Sequence, residues 1–329
     1  GSGLTIALVL SGYRYHLPNT TLIKSAAIML LVTSYFLAPA LEARPQQLGI
    51  ALAFLICLQV TSQPQTSTGW LLAALLPLAF WHVLSFFVAI AYLSVWKLIL
   101  WRLGSLRGGA ILLWFVLASS LLVSLIGSRA YRSLLEDVLA NHLPGQVTLA
   151  LLIISSVLLV TCFCAVPVRL WRKVRALCLS HINVVVAIIF LLSAIALTLQ
   201  WRLLPSAALQ DYGGSAVTFC MWHAGNMGFC VCYLLGLQIC FRGEVDGLQA
   251  FVNGSLILLV FASFALFASL FLAHVNWMIR ILYFWIPFAA PLSALGLGKL
   301  LSHADKFRHL ILFCLFMASL SHVVRLSIV

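Results

Sequence analysis

The chain has 329 residues, of which 64% are hydrophobic and 8% charged, with a net charge of +12. A soluble domain carries roughly 25% charged residues, so this composition excludes a water-solvated globule. Lipid cannot satisfy backbone N–H and C=O groups, and the apolar runs are continuous rather than alternating; the bilayer-spanning elements must therefore be helices, not barrel strands.

In chain order, hydropathy predicts a partial span over Gly3 to Ser11, then spans over Thr21 to Ala38 and Leu48 to Val60. A longer apolar stretch, Trp70 to Trp96, contains Pro77 and His82 and reads as either one tilted helix or a broken pair. Further spans cover Ala110 to Ile126, Val147 to Val166, Ile182 to Leu199, Val217 to Cys240, Ser255 to Leu272, Ile281 to Leu297 and Leu310 to Val324. The expectation is an all-α fold: a polytopic bundle of roughly ten to twelve membrane helices with short loops, residues 1–329 forming one integral membrane domain. The chain opens on Gly-Ser-Gly, and its first apolar run, Leu4 to Leu10, is short for a span. This leaves room for sequence ahead of it; no cleavable signal peptide is read.

Loop charges orient such a bundle. Lys97 to Arg107 holds Lys97, Arg102 and Arg107 without an acid, Arg169 to Arg175 holds four basic residues, and Lys299, Lys306 and Arg308 share another segment. These loops, joined by Arg242 beside Glu244 and Asp246, are assigned to the cytoplasm. The opposite side receives Arg14 and His16, Arg129 to His142, Trp201 to Tyr212, and His274 to Arg280. The excess of basic residues thus reads as topology, and no basic run interleaved with aromatics points to nucleic acid.

Polar side chains at membrane depth are costly and so become functional candidates. Arg14 and Tyr15, beside Tyr13 and His16, pair a guanidinium fork with aromatic faces, a combination suited to phosphate and sugar; the competing reading is an interfacial anchor. Arg44 with Gln46 and Gln47 stands at the mouth of the third span, where the alternative is an orienting charge. His82, inside an apolar run, has the titration range of an acid or base, against a hydrogen-bonded structural histidine. Arg129, Arg132, Glu136, Asp137 and His142 fall at helical spacing and read as an interfacial amphipathic helix or a solvated one. Trp201, Arg202, Asp211 and Tyr212 precede the span with His223 and Asn226. Asp211 and His223 can share one outward cavity, or serve loop hydration and an interhelical bond. Arg280, after His274 and Asn276, precedes Tyr283, Phe284 and Trp285, again an arginine before aromatics.

The nine cysteines lie mostly inside apolar runs and read as small packing residues, not as a disulfide framework. Cys220 and His223 share a helical face, yet two ligands make no zinc site, and no metal is expected. There is no P-loop, no nucleophile elbow, no His-Glu-x-x-His helix and no Asp-x-Asp loop. Arginines, aromatics and histidines gathered mostly on one side fit an anionic lipid-linked substrate.

These residues resemble those of the EpsG-like and related Wzy-type polysaccharide polymerases of bacterial envelopes. The early Gly-x-Arg-Tyr of that family reads here Gly12-Tyr13-Arg14-Tyr15; its Arg-Gln before a helix rich in small residues reads Arg44-Pro45-Gln46-Gln47. Its histidine after an apolar run, often Phe-His-x-Ser, reads Phe80-Trp81-His82-Val83-Leu84-Ser85. Its late arginine before aromatics reads Arg280-Ile281-Leu282-Tyr283-Phe284. The order and approximate spacing run over most of the chain. Two departures stand out: the family's Gly-x-Asp after Arg-Tyr is replaced by His16-Leu17-Pro18-Asn19-Thr20, and Pro45 splits the Arg-Gln pair.

The resemblance implies a polytopic enzyme of the bacterial inner membrane, moving a growing glycan from undecaprenyl pyrophosphate to a sugar hydroxyl on a second lipid carrier. It implies no cofactor. Its partners are the lipid-linked oligosaccharide and membrane lipids, with a chain-length regulator and a flippase alongside. On this expectation Arg14, Arg44 and Arg280 hold pyrophosphate, and His82 or Asp211 takes the acceptor proton. Tyr15, Trp201 and Tyr283 line the sugar path, with Gln46, Arg202 and His223 also at the substrate. Two alternatives stay open: an O-antigen ligase or polyprenyl-phosphate-sugar glycosyltransferase, and a lipid-linked oligosaccharide flippase without chemistry.

Overall fold

The computed structural model describes residues 2–32, 45–63, 66–128, 216–245, 247–272 and 276–303, with positions 173 and 184; the side chains of 2, 32, 45–47, 126, 216–227, 263–280 and 303 are outside that description. All regular structure among the described residues is helical. In chain order the helices are α1 (Ser2–His16), α2 (Thr20–Val32), α3 (Pro45–Ser62), α4 (Thr68–Trp81) and α5 (Val83–Arg102). They continue with α6 (Gly108–Gly127), α7 (Ala216–Phe241), α8 (Gln249–Leu272) and α9 (Asn276–His303). Apart from positions 173 and 184, the spans expected at Val147 to Val166, Ile182 to Leu199 and Leu310 to Val324, and the loops at Arg129 to His142 and Arg169 to Arg175, lie outside the described residues.

Among the described helices, three are long and apolar enough to cross a bilayer: Val83–Arg102, Gly108–Leu125 and Ile281–Ser302. Shorter apolar segments occupy α2, α3, α4, α7 and α8. The boundaries follow local chemistry. Asn19 caps α2, its Oδ1 accepting from Leu22 N at 2.7 Å, and Ser67 Oγ caps α4 by accepting from Trp70 N at 3.3 Å. Pro45 opens α3 at the one helical turn where a missing N–H costs nothing. Gly104 and Gly243 take positive φ just past α5 and α7, as helix C-terminal turns require.

The ambiguous stretch from Trp70 to Trp96 is a broken pair. Helix α4 stops at Trp81, His82 is extended (φ −153, ψ 100), and α5 starts at Val83. Lys97, expected in a cytoplasmic loop, belongs instead to α5 and is only 2% exposed. Its ammonium lies 5.3 Å from the ring centre of Trp114, whose Nε1 donates to Ser94 Oγ at 3.0 Å. The alkyl stem suits an apolar helix and the ring face accepts the charge, so a loop is not needed to accommodate it. Lys299 likewise lies inside α9, and Asn276 and Arg280 belong to its first turns rather than to an outer loop.

The chain forms two compact units, Gly1–Leu93 with Asn183–Val329, and Ser94–Ile182. In the first, α9 is the central helix, packed against α7, α8, α2 and α3, while α1 packs on α3 and α3 on α4. Without a hydrophobic force between helices in lipid, close backbone approach by small residues must supply the contact. At Gly236 of α7 a side chain would fall on the Leu292 carbonyl of α9, and at Gly296 it would fall on the Cys232 carbonyl. Ser293 Oγ donates to the Phe229 carbonyl at 3.2 Å in the same seam. Aromatic rings fill the remaining core: Phe288 meets Phe54 at 4.9 Å, Tyr92 at 5.9 Å and Phe251 at 6.4 Å between ring centres. In the second unit α6 exposes Leu112, Leu113, Val116 and Val123, the surface a lipid-facing helix presents.

Candidate functional site

His82 holds two helices by their ends. Its backbone N–H donates to Leu78 O at 2.9 Å and so closes α4; its carbonyl accepts from Phe86 N at 3.1 Å and so opens α5. Its side chain completes the start of α5: Nδ1 accepts from Ser85 N at 3.2 Å and lies 2.6 Å from Ser85 Oγ. This is the geometry of a helix N-cap, a side-chain acceptor bonded to the N–H three residues on. A ring whose Nδ1 accepts carries its hydrogen on Nε2 when neutral, so His82 presents a donor there. Ser85 is fully buried, and the ring is half-buried beside exposed Phe80 and Trp81.

The head of α3 reaches this point. A side chain at Gly49 would come within 2.8 Å of both His82 Cβ and Ser85 Oγ, so only a hydrogen lets α3 lie against the break. Gln46 is three residues before Gly49, about 4.5 Å along the axis. The structure therefore brings the α3 head, which carries Gln46, to the histidine that follows α4, so that two of the sequence candidates meet at one end of the α3–α4 pair. Arg44 lies outside the described residues; Gln46 is placed in α3 by its backbone.

Of the early motif, Tyr13 is fully buried whereas Arg14 is exposed and Tyr15 is 85% exposed. Tyr13 Oη donates to the Pro287 carbonyl of α9 at 2.7 Å, and its ring lies 5.9 Å from both Phe54 and Phe251. The motif thus splits: one tyrosine ties α1 to the core, and the two residues after it are outside. His16, at the end of α1, is half-buried, and that burial pushes its pKa below the ordinary imidazole value because the charged form loses solvation.

Tyr283 is half-buried in α9, and Arg280 is placed by its backbone one turn earlier. Helices α7 and α9 run side by side in the same direction. Glu244, just past α7, meets Lys299 at 3.5 Å and Arg242 at 3.9 Å, while toward the other end Phe229 meets Trp285 at 5.7 Å. Positions 223 and 280 stand six and five residues before that ring contact, at similar depth along the two helices. Lys299, Arg242 and Glu244 are thus gathered at one end of α7 and α9, away from His223 and Arg280. Trp201, Arg202 and Asp211 lie outside the described residues.

Gly49 is not a sequence candidate, and Ser85 and Tyr13, which appear in the sequence only as members of motifs, take structural roles here: Ser85 as the partner of His82 and Tyr13 as a core residue. The three-residue spacing of His82 and Ser85 fits a cap, but histidine is not a usual capping residue and the geometry alone reveals it; the roles of Gly49 and Tyr13 depend on partners in other helices. Among the described residues no three metal-ligating side chains come together. Comparisons of the chain with protein-family models, with curated proteins and with solved structures return no match.

Proposed function

We propose that this chain is an envelope polysaccharide polymerase. In this reading it is a bundle of roughly ten to twelve membrane helices in a bacterial inner membrane, transferring a glycan from undecaprenyl pyrophosphate to the sugar hydroxyl of another lipid-linked unit. The observation that carries the reading is the meeting of Gly49, His82 and Ser85. It joins the helix that opens at Pro45-Gln46 to the histidine of the Phe-His-x-Ser-like segment, two motifs of the resemblance that lie far apart in the chain.

The roles follow from the chemistry. The bond from the anomeric carbon to the pyrophosphate oxygen breaks, and charge grows on that oxygen. Arg14, Arg44 and Arg280 neutralise it. His82 or Asp211 takes the proton of the attacking hydroxyl as its oxygen bonds to the anomeric carbon. Tyr15, Trp201 and Tyr283 give the sugars apolar faces, and Gln46, Arg202 and His223 add polar contacts.

The test is the surface glycan of a deletion strain, run on a gel with complementation by the natural chain or Arg280→Ala. The expected result is single repeat units in the deletion, a full ladder with the natural chain and loss of the ladder with Arg280→Ala at equal expression. A ladder unchanged by deletion removes the polymerase reading. A second reading, a lipid-linked oligosaccharide flippase, is favoured by the break at His82, because discontinuous helices line many transport sites. Turnover of lipid-linked substrate by purified protein in detergent separates the two.

A further inference from the structure

Helix α9 carries Pro287 and Pro291 inside an otherwise continuous helix. In a regular helix the carbonyl of residue 287 accepts from the N–H of residue 291, and proline has none. A buried carbonyl left in that condition is costly, more so in a lipid-surrounded core. The missing donor comes from α1: Tyr13 Oη, 274 positions away in the chain, donates to Pro287 O at 2.7 Å. The phenol is held in place from both sides. Phe54 and Phe251 each present their rings at 5.9 Å, and a side chain at neighbouring Gly12 would reach to 2.9 Å of Leu55 and 3.0 Å of Phe54.

We infer that Tyr13 is a latch on the proline pair of α9. It replaces the internal hydrogen bond that Pro291 withholds, and it ties α1 to the second of the two turns that the prolines of α9 interrupt, Pro287 withholding its own N–H from the turn before. A helix bends most readily where a proline interrupts its ladder, so the latch decides whether the part of α9 before Pro287 moves with α1 or independently of it. That part carries Arg280 and Tyr283; the end of α1 carries exposed Arg14 and Tyr15. Tyr13 is thereby a positioning residue for these two pairs. What the pairs bind rests on the polymerase reading; the latch itself does not.

Tyr13→Phe removes one oxygen and keeps the ring. In purified protein the substitution is expected to lower Tm by about 2–4 °C. In a Pro291→Ala background, residue 291 regains an N–H for Pro287 O, and the same substitution is expected to lower Tm by less than half as much. Equal losses in the two backgrounds overturn the latch. If Pro291→Ala does not fold, hydrogen exchange in the natural background decides: Tyr13→Phe is expected to speed exchange in α9 around residues 287–292 and leave the Arg242–Glu244 turn unchanged. Unchanged exchange in α9 overturns the latch. In the deletion strain, Tyr13→Phe is expected to shorten the glycan ladder at equal expression, and a full-length ladder overturns the positioning role. Normal coupling with no glycan phenotype in the deletion itself removes the polymerase reading and leaves the latch standing.

Discussion

A side chain at position 296 has nowhere to go. Its Cβ would meet the Cys232 carbonyl and the Gly236 N, both backbone atoms, whereas at Gly298, two residues on, nothing lies within 4 Å. Gly296→Val is therefore expected to cost about 1–3 kcal/mol or more through forced separation of α7 and α9. Gly298→Ala is expected to be neutral or to stabilise by up to about 1 kcal/mol, from helix propensity. Thermal unfolding of the purified variants checks the pair, and equal effects at the two glycines contradict the packing seam. His16 provides a second residue-scale expectation. Burial lowers its folded pKa below 6.5, so the unfolded chain takes up a proton first as pH falls. The contribution of His16 is flat above that value and is lost as pH drops through it toward the lower folded pKa. His16→Gln should therefore narrow the difference in Tm between pH 7.5 and pH 5.5, and an unchanged difference shows that His16 is not the group responsible.

At the scale of elements, the break between α4 and α5 has two explanations that a substitution can separate. The cap explanation needs only a side-chain acceptor at position 82 for the Ser85 N–H. The chemical explanation needs the imidazole. His82→Ala is expected to lose about 1 kcal/mol, while His82→Asn restores most of that loss because asparagine caps well. If His82 also serves the substrate, the asparagine variant folds like the natural chain and still makes no polymer. Full polymer with asparagine reduces His82 to its structural role. The sequence already held part of this element: an apolar run with Pro77, a histidine, and a serine three residues later. It left open whether the run was one helix, because hydropathy reads composition and not backbone continuity. The burial of Lys97 within α5 escaped for a related reason. Charge counting places lysines in loops, but a long alkyl stem and a tryptophan face accommodate one inside a helix.

At the scale of the whole chain, the pairing of Glu244 with Lys299 and Arg242 identifies one end of α7 and α9 as the charged end. The basic-loop rule places that end in the cytoplasm. A reporter active only outside the cytoplasm is expected to be silent at Gly243 and active at His274, with the one helix α8 between them. The reverse pattern inverts the orientation, and equal activity at both sites breaks the helix count between them. A correct orientation also places Arg280 on the side where lipid-linked glycans are joined in the proposed reaction.

What the residues determined by themselves was the class of the molecule. With 8% charged residues and long apolar runs, the chain must answer to lipid, and lipid permits only helices for runs of this kind. Most described helices follow from this, since length and hydropathy are local properties. Tertiary structure decided what local properties cannot carry: that Tyr13 faces a carbonyl orphaned by Pro291, that Gly49 admits His82, and that Gly236 and Gly296 let α7 and α9 touch. Each of these depends on a partner in another helix, and in an apolar sequence many residues look equally fit for that place. Only the packed helices distinguish the tyrosine that holds the core from its exposed neighbours Arg14 and Tyr15.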